Sequence, residues 1–248
     1  MAGWRFIDLG RVNMFHLFGI EDAIVNSDQP STVLFWIVDK PTASIGYFQS
    51  VEQELNVERC KKNNIIISRR PCGGGAVYFD DRELYYSVIE KGPEHILPDT
   101  IDGSFKRVCK GLIYALENLG IKAEFSGKND ILVNGKKISG NAQARKNDSY
   151  IIHGTFLYDF DFETATRILN IPIEKFADKG ISLLRERIIT IRELKPDVTI
   201  NQVKEEMRRG FERALGVELI DSELSDEELE MSREFMKKYS SDEWNFRR

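Results

Sequence analysis

The sequence predicts an α+β fold in which a mixed or antiparallel sheet is packed with helices, and three observations carry that expectation. Short apolar, β-prone runs recur as far as Leu157. An Asn134-Gly135 pair separates two of them, the strongest short-range hairpin signal in the chain. From Phe162 onward the apolar spacing becomes mainly helical.

Taken in order, Trp4 to Leu9 reads as a short strand, and Phe15 to Val25 places Phe15, Leu17, Phe18, Ile20, Ala23 and Ile24 mostly on one helical face. Val33 to Val38 is a buried strand closed by Pro41. Ala43 to Phe48 is a second strand candidate. Val51 to Asn64 has the polarity of one surface helix and leads into the strand Ile65 to Ser68.

Ala76 to Phe79 and Leu84 to Ile89 flank the turn-like Asp80-Asp81-Arg82, which predicts a hairpin. Ile101 to Leu119 keeps helical spacing through Phe105, Val108, Cys109, Leu112, Ala115, Leu116 and Leu119, with Gly120 as its cap. Ile131 to Ser139 forms the Asn-Gly hairpin, with Lys137 opening the return strand, and Ile151 to Leu157 is a further strand. Helices are predicted over Phe162 to Leu169, Ile200 to Leu215 and Asp226 to Tyr239, with Glu193 to Thr199 as a polar connector. The chain shows no internal repeat or low-complexity linker.

With 248 residues the chain can bury a substantial core, as one large domain or two small ones. Hydrophobic residues at 42% and charged residues at 30% suit a folded chain rather than a disordered one. A net charge of −5 argues against general nucleic-acid binding, which needs an excess of Lys and Arg. No apolar run approaches the ~20 residues of a membrane span, and the N-terminus is no signal peptide. The expectation is a soluble, cytoplasmic protein with neither nucleic-acid nor membrane partners. Cys60, Cys72 and Cys109 are too few and too dispersed for a zinc knuckle or a disulfide scaffold.

The most informative segment is Arg69-Arg-Pro-Cys-Gly-Gly-Gly-Ala-Val-Tyr. Gly73, Gly74 and Gly75 remove every β-carbon and let backbone amides approach a phosphate or carboxylate, while two arginines add charge. Gly-Gly-Gly between strands is equally a flexible connection. It matches neither a Walker A loop nor a dinucleotide fingerprint. A second segment runs from Ser126 to Gln143, where Asn129 and Lys137 can face one cavity. Lysine suits an α-phosphate or an acyl oxygen because it neutralises charge without fixed geometry; Lys136-Lys137 also reads as a solvated hairpin.

His153 lies in a strand beside Gly154, where histidine is usually structural. Cys72, next to Arg70, reads either as a nucleophile with a lowered pKa or as a small buried spacer. The sequence places no histidine or acid to activate it.

Together with Ile45-Gly-Tyr-Phe-Gln, Gly127-Lys-Asn-Asp, Lys137-Ile-Ser-Gly-Asn-Ala, His153-Gly-Thr-Phe-Leu, Lys179-Gly-Ile-Ser and Glu243-Trp-Asn-Phe, the arginine-glycine segment resembles the lipoate–protein ligase family in order over nearly the whole chain. The resemblance implies a single catalytic domain over residues 1–248. It also implies a mixed, largely antiparallel sheet packed with helices, shared with biotin ligases and related to class II aminoacyl-tRNA synthetases.

The resemblance implies that lipoate and ATP, with Mg2+, give lipoyl-AMP, and that the lipoyl group then passes to a lysine of a carrier. The carriers it implies are lipoyl domains of 2-oxoacid dehydrogenase E2 or the glycine cleavage H protein. Lys137 would be catalytic. Arg70, Gly73, Gly74, Gly75, Ala76, Val77, Asn129, Asp130, Gly140, His153 and Thr155 would bind substrate or lipoyl-AMP. Metal ligands are not indicated.

Three departures stand out: Pro71-Cys72 where Ser/Thr-type residues are usual, Phe79 where histidine is common, and an end just after Trp244. The last resembles split forms whose C-terminal accessory domain is a separate protein, so an accessory partner is expected. The rival reading is an octanoyl or lipoyl acyltransferase of the same fold that works through a cysteine without ATP. The cysteine-using relatives carry that residue before the lysine hairpin, where Phe125-Ser-Gly-Lys-Asn-Asp has none. A catalytically silent lipoyl-binding module is a further alternative, although Lys137 is retained; the adenylate loop of biotin ligases is not visible.

Overall fold

The computed structural model describes residues 3–92, 95–170 and 177–247, with the side chains of 177–179, Lys179 among them, outside the description. Its N-terminal half comprises β1 (Gly3–Val12), α1 (Met14–Asn26), β2 (Thr32–Val38), β3 (Thr42–Ile45), α2 (Val51–Glu54), α3 (Val57–Lys62), β4 (Ile66–Arg69), β5 (Val77–Phe79), β6 (Leu84–Glu90) and α4 (Ile101–Asn118). There follow β7 (Glu124–Phe125), β8 (Asp130–Val133), β9 (Lys136–Lys146), β10 (Ser149–Phe156), α5 (Phe162–Ile168) and α6 (Ala177–Arg187). The chain closes with α7 (Ile191–Leu194), α8 (Ile200–Leu215), β11 (Glu218–Asp221), α9 (Asp226–Tyr239) and α10 (Asp242–Asn245).

An eight-stranded mixed sheet in the order β11-β1-β2-β6-β10-β9-β8-β7 forms the centre. Only β1 pairs in parallel, with β2 and β11; the remaining neighbours are antiparallel. Strand β2 explains its own unbroken apolar run. Val33 and Phe35 enter the core beneath α4 and α8, while Leu34 and Trp36 enter the one beneath α1 and α9. A strand buried on both faces has no polar alternation to show.

A smaller sheet, β4-β3-β5, carries its own apolar cluster against α5. The predicted strand–helix–strand order appears here as the parallel pair β3 and β4.

The β8–β9 hairpin forms as expected. Asn134 at φ 53° and Gly135 at φ 75° supply the two left-handed residues that a tight turn of matching twist requires. Helix α4 buries the expected stripe of Phe105, Val108, Cys109, Leu112, Ala115 and Leu116, and α9 spans the predicted residues.

Three expectations are corrected. The helix predicted over Val51 to Asn64 is two short ones, because Leu55 bridges to Leu169 and Asn56 restarts the helix by accepting from the Arg59 amide. The strand from Ala43 ends at Ile45. Ala76–Phe79 and Leu84–Ile89 do not form a hairpin, since β5 joins β3 in the small sheet and β6 joins β2 and β10 in the large one. The Tyr85 hydroxyl, which both accepts from the Asp80 amide and donates to its carbonyl, holds the corner that turns the chain from one sheet to the other. The connector after Glu193 begins as part of α7, and β11 carried no sequence signal that we read.

Candidate active site

The two sheets and α1 enclose a cavity of about 670 Å3. Its apolar wall includes Met14, Leu17 and Phe18 from α1, Trp36 from β2, Phe79 from β5, and Phe160, Leu169, Leu184 and Ile188. Arg70, Gly74, Gly75, Ala76, Val77, Asn129, Asp130, Lys137, Gly140, His153 and Thr155 all open onto it. Of the expected substrate-binding and catalytic residues, Gly73 alone is not in the wall; it is exposed beside it.

The glycine segment crosses from β4 to β5 and is fastened from behind. Fully buried Arg69 donates to the carbonyls of Gly46, Tyr47, Gln49, Trp244 and Asn245, at 2.6 to 3.3 Å. Trp244 returns a bond from its indole N–H to the Arg69 carbonyl at 2.9 Å. The C-terminal Glu243-Trp-Asn-Phe motif is therefore a clamp on the strand that launches the loop.

Arg70, also buried, donates to Ser44 O at 2.8 Å and to Gly75 O at 2.6 Å. Gly46 touches the loop so closely that a β-carbon there would lie 2.0 Å from the Gly74 oxygen. Among the described residues no group accepts from the amides of Gly73, Gly74 or Gly75, so these donors are available to an anion.

Across the cavity, Lys137 lies on β9, its Nζ 2.9 Å from Asp130 Oδ1 and its side chain 38% exposed. Its tip lies over Gly140. Asn129 and Asn141 each donate a side-chain N–H to the other's carbonyl at 2.7 Å, which ties the segment before β8 to β9. Thr155 accepts from the Gly140 amide at 3.2 Å. A buried acyl chain would gain about 0.8 kcal/mol per methylene from such apolar walls, while the amides and Lys137 supply positive charge where a carboxylate or phosphate would lie.

The structure also supplies what the sequence could not place beside Cys72. The Cys72 sulfur lies 3.0 Å from His153 Nε2, and His153 Nδ1 lies 3.1 Å from Glu21 Oε1. Glu21 also accepts from the Ser87 hydroxyl at 2.6 Å. Burial pushes the Cys72 thiol up, but the His153 imidazole and the Arg70 guanidinium outweigh it, and the net shift is down. Burial likewise opposes charge on His153, yet Cys72 and Glu21 raise its pKa to about 10. By contrast burial lifts Cys60 to about 11, and burial with the Asp130 charge lifts Cys109 to about 12. No cysteine is in the cavity wall itself.

Sequence reasoning missed Glu21 and Asn141. The signal for Glu21 was present, since it lies one turn from Leu17 on the buried face of α1, where an acid calls for a partner.

Among the described residues no helix is long and apolar enough to cross a membrane. Residues 14–212 match the model of the lipoyl protein ligase A/B catalytic domain. The chain is 32% identical to octanoyltransferase LipM of Anoxybacillus flavithermus, over 99% of this chain and 98% of the relative. It superposes with a TM-score of 0.89, at 30% identity, on a structure of a bipartite lipoate protein ligase and its E2 lipoyl domain from Thermoplasma acidophilum, covering 99% and 97% of the two chains. A lipoate-protein ligase A bound with ATP aligns at 28% identity with a TM-score of 0.85 over 99% of both chains.

Proposed function

The chain belongs to the lipoyl protein ligase A/B catalytic-domain family, and from that premise we propose that it is an ATP-dependent lipoate–protein ligase acting on a lysine of a lipoyl domain. The observation that supports this reading most is convergence: Arg70, Gly74 and Gly75 from the β4–β5 loop of the small sheet, and Asn129 and Lys137 from the β8–β9 region of the large one, line one otherwise largely apolar cavity. An amphiphilic acid fits that division, its chain against α1 and β2 and its carboxylate toward the amides and Lys137.

In the first step the lipoate carboxylate oxygen attacks the α-phosphorus of ATP, and pyrophosphate leaves. Lys137 holds the carboxylate and phosphate oxygens together against their mutual repulsion. In the second step the carrier amine attacks the acyl carbonyl and AMP leaves, with Lys137 stabilising the developing oxyanion. Magnesium would offset the charge of the triphosphate; among the described residues no three His, Cys, Asp or Glu side chains gather to hold a metal ion. The likeness to the bipartite ligase of Thermoplasma acidophilum supports a separate accessory protein for adenylation.

A second reading is favoured by the octanoyltransferase relative, which matches over nearly the whole of both chains. In it the same cavity takes an octanoyl or lipoyl group from a carrier thioester, and ATP is not used. Purified protein with lipoate, magnesium and ATP, with and without a candidate accessory protein, decides between them. Mass gain of an added lipoyl domain that depends on ATP is the expected result; no ATP-dependent gain under either condition overturns the ligase reading.

A further inference from the structure

We propose that Cys72, with His153 and Glu21, is a nucleophilic triad that accepts an acyl group from a thioester donor and so gives this site an ATP-independent acyl transfer. The inference rests on the acyl-transfer reading of the cavity, and it assigns to named atoms a chemistry that the segment before the lysine hairpin lacks.

Three observations carry it. Sulfur, imidazole and carboxylate form an unbroken line, 3.0 Å from Cys72 Sγ to His153 Nε2 and 3.1 Å from His153 Nδ1 to Glu21 Oε1. That is the order of nucleophile, base and orienting group that activated thiols use. All three come from different elements, Cys72 from the β4–β5 loop, His153 from β10 and Glu21 from α1, so the line is a product of the tertiary fold.

The line also ends at the acyl cavity. His153, Arg70 and Gly74 are in its wall, and Leu17, one turn before Glu21, lines it too. Cys72 lies directly behind a loop whose Gly73 and Gly75 face open space, with nothing within 4 Å of a β-carbon built on either. This side-chain-free backbone must move outward for an acyl donor to reach the sulfur of Cys72, which is 3% exposed. Finally, Cys72 differs from the other two cysteines in its surroundings: it alone has a histidine and a guanidinium beside it, whereas Cys60 lies in an apolar cluster and Cys109 on the buried face of α4.

The chemistry balances without ATP. The Cys72 thiolate attacks the carbonyl carbon of an acyl thioester on a phosphopantetheine-type thiol. A carbon–sulfur bond to Cys72 forms, the donor's carbon–sulfur bond breaks, and the departing thiolate takes the proton from His153 Nε2. In the return step the carrier lysine amine attacks the acyl-Cys72 carbonyl, the carbon–nitrogen bond forms and the carbon–sulfur bond breaks. The amine proton goes to His153 Nε2, which restores the thiolate–imidazolium pair. Glu21 touches no reacting atom; it is a positioning residue that fixes the imidazole ring.

The test uses the intact chain with octanoyl-coenzyme A as probe, no ATP, and intact-mass and peptide mass spectrometry. One octanoyl group on Cys72, released by neutral hydroxylamine, is expected. It should be absent in C72S and C72A, and formed on the order of 100-fold more slowly in H153Q. E21Q should lower the pKa of the His153 imidazolium, which Glu21 raises, and so move the histidine-dependent limb of the acylation pH profile downward, which a merely structural role would not do. No adduct in the wild type, an adduct on Cys60 or Cys109, or an undiminished adduct in C72S that melts like wild type would overturn the proposal. The readout is acyl on the enzyme without ATP, whereas the ligase reading is read from lipoyl on the carrier with ATP, so either can fail alone.

Discussion

Replacing Gly140 by alanine should disable the site while leaving the fold standing. A β-carbon at Gly140 would lie 2.5 Å from Lys137 Cε and 2.6 Å from its Nζ, with Asp130 Oδ1 next at 3.6 Å. Ordinary carbon–carbon contact begins near ~3.5 Å, so the end of the lysine must retreat by about 1 Å. A flexible side chain can do that at little cost, and Gly140 is not in the left-handed backbone region, so alanine is tolerated there. Losing the partly exposed Lys137–Asp130 contact costs at most about 1 kcal/mol, and alanine in a strand recovers roughly 0.5–1 kcal/mol over glycine.

Stability should therefore stay within about 1 kcal/mol of wild type in urea unfolding. Catalysis should not. A misplacement of about 1 Å at a catalytic group is worth on the order of 10²-fold in rate, close to 2.7 kcal/mol. Single-turnover transfer of lipoate to a lipoyl domain, followed by mass, measures it. A G140A protein that transfers at the wild-type rate would refute the assignment of Lys137 to the reaction centre, because its ammonium cannot keep its place beside the new methyl group.

Gly46→Ala puts a β-carbon 2.0 Å from backbone rather than from a flexible tip; about 1–3 kcal/mol of stability should go with it, alongside a raised KM for the acid, both read by urea titration and steady-state kinetics. Arg5→Met removes the guanidinium that meets both oxygens of buried Glu228, at 3.0 and 2.6 Å, and should cost about 3–5 kcal/mol; adding Glu228→Gln should restore part of it. Burial, only partly offset by the Arg82 amide and charge, pushes the Asp80 carboxyl up to about 6. The folded state thus prefers the protonated acid, and that stabilisation is complete below the unfolded pKa of 3.8 and lost as pH rises through about 6. Asp80→Asn, which keeps an acceptor for the Arg82 amide, should flatten the wild-type decline by on the order of 2 kcal/mol between about pH 4 and pH 8.

Local chemistry was legible where one segment sufficed. The Asn134-Gly135 turn, the α4 stripe and the boundaries of α9 all follow from signals within a few residues. What failed needed knowledge of a distant partner. Val51 to Asn64 has the composition of one helix, and only the bridge from Leu55 to Leu169 breaks it. Val77–Phe79 and Leu84–Glu90 look like a hairpin until Tyr85 and Asp80 turn the chain into a second sheet. The site divides likewise: the lysine hairpin and glycine loop announce themselves, but Glu21 and Cys72 are 51 positions apart in the sequence and meet only through His153.

Arg70, which the family resemblance would make a direct ligand of the acid, also depends on distant partners. Two of its N–H groups are already committed, to Ser44 O and Gly75 O, and burial works against its charge while Cys72 favours it. A guanidinium that bridges β3 to the far end of the glycine loop fixes the loop's shape more directly than it binds an anion. The amides of Gly74 and Gly75, in the cavity wall, carry no net charge to desolvate and would need no reorganisation when an oxyanion forms. On the proposed function, anion binding would then fall to backbone on one side and Lys137 on the other. An arrangement of that kind would not depend on whether the carbonyl's leaving group is phosphate or thiol, so it is compatible with both of the donors proposed above.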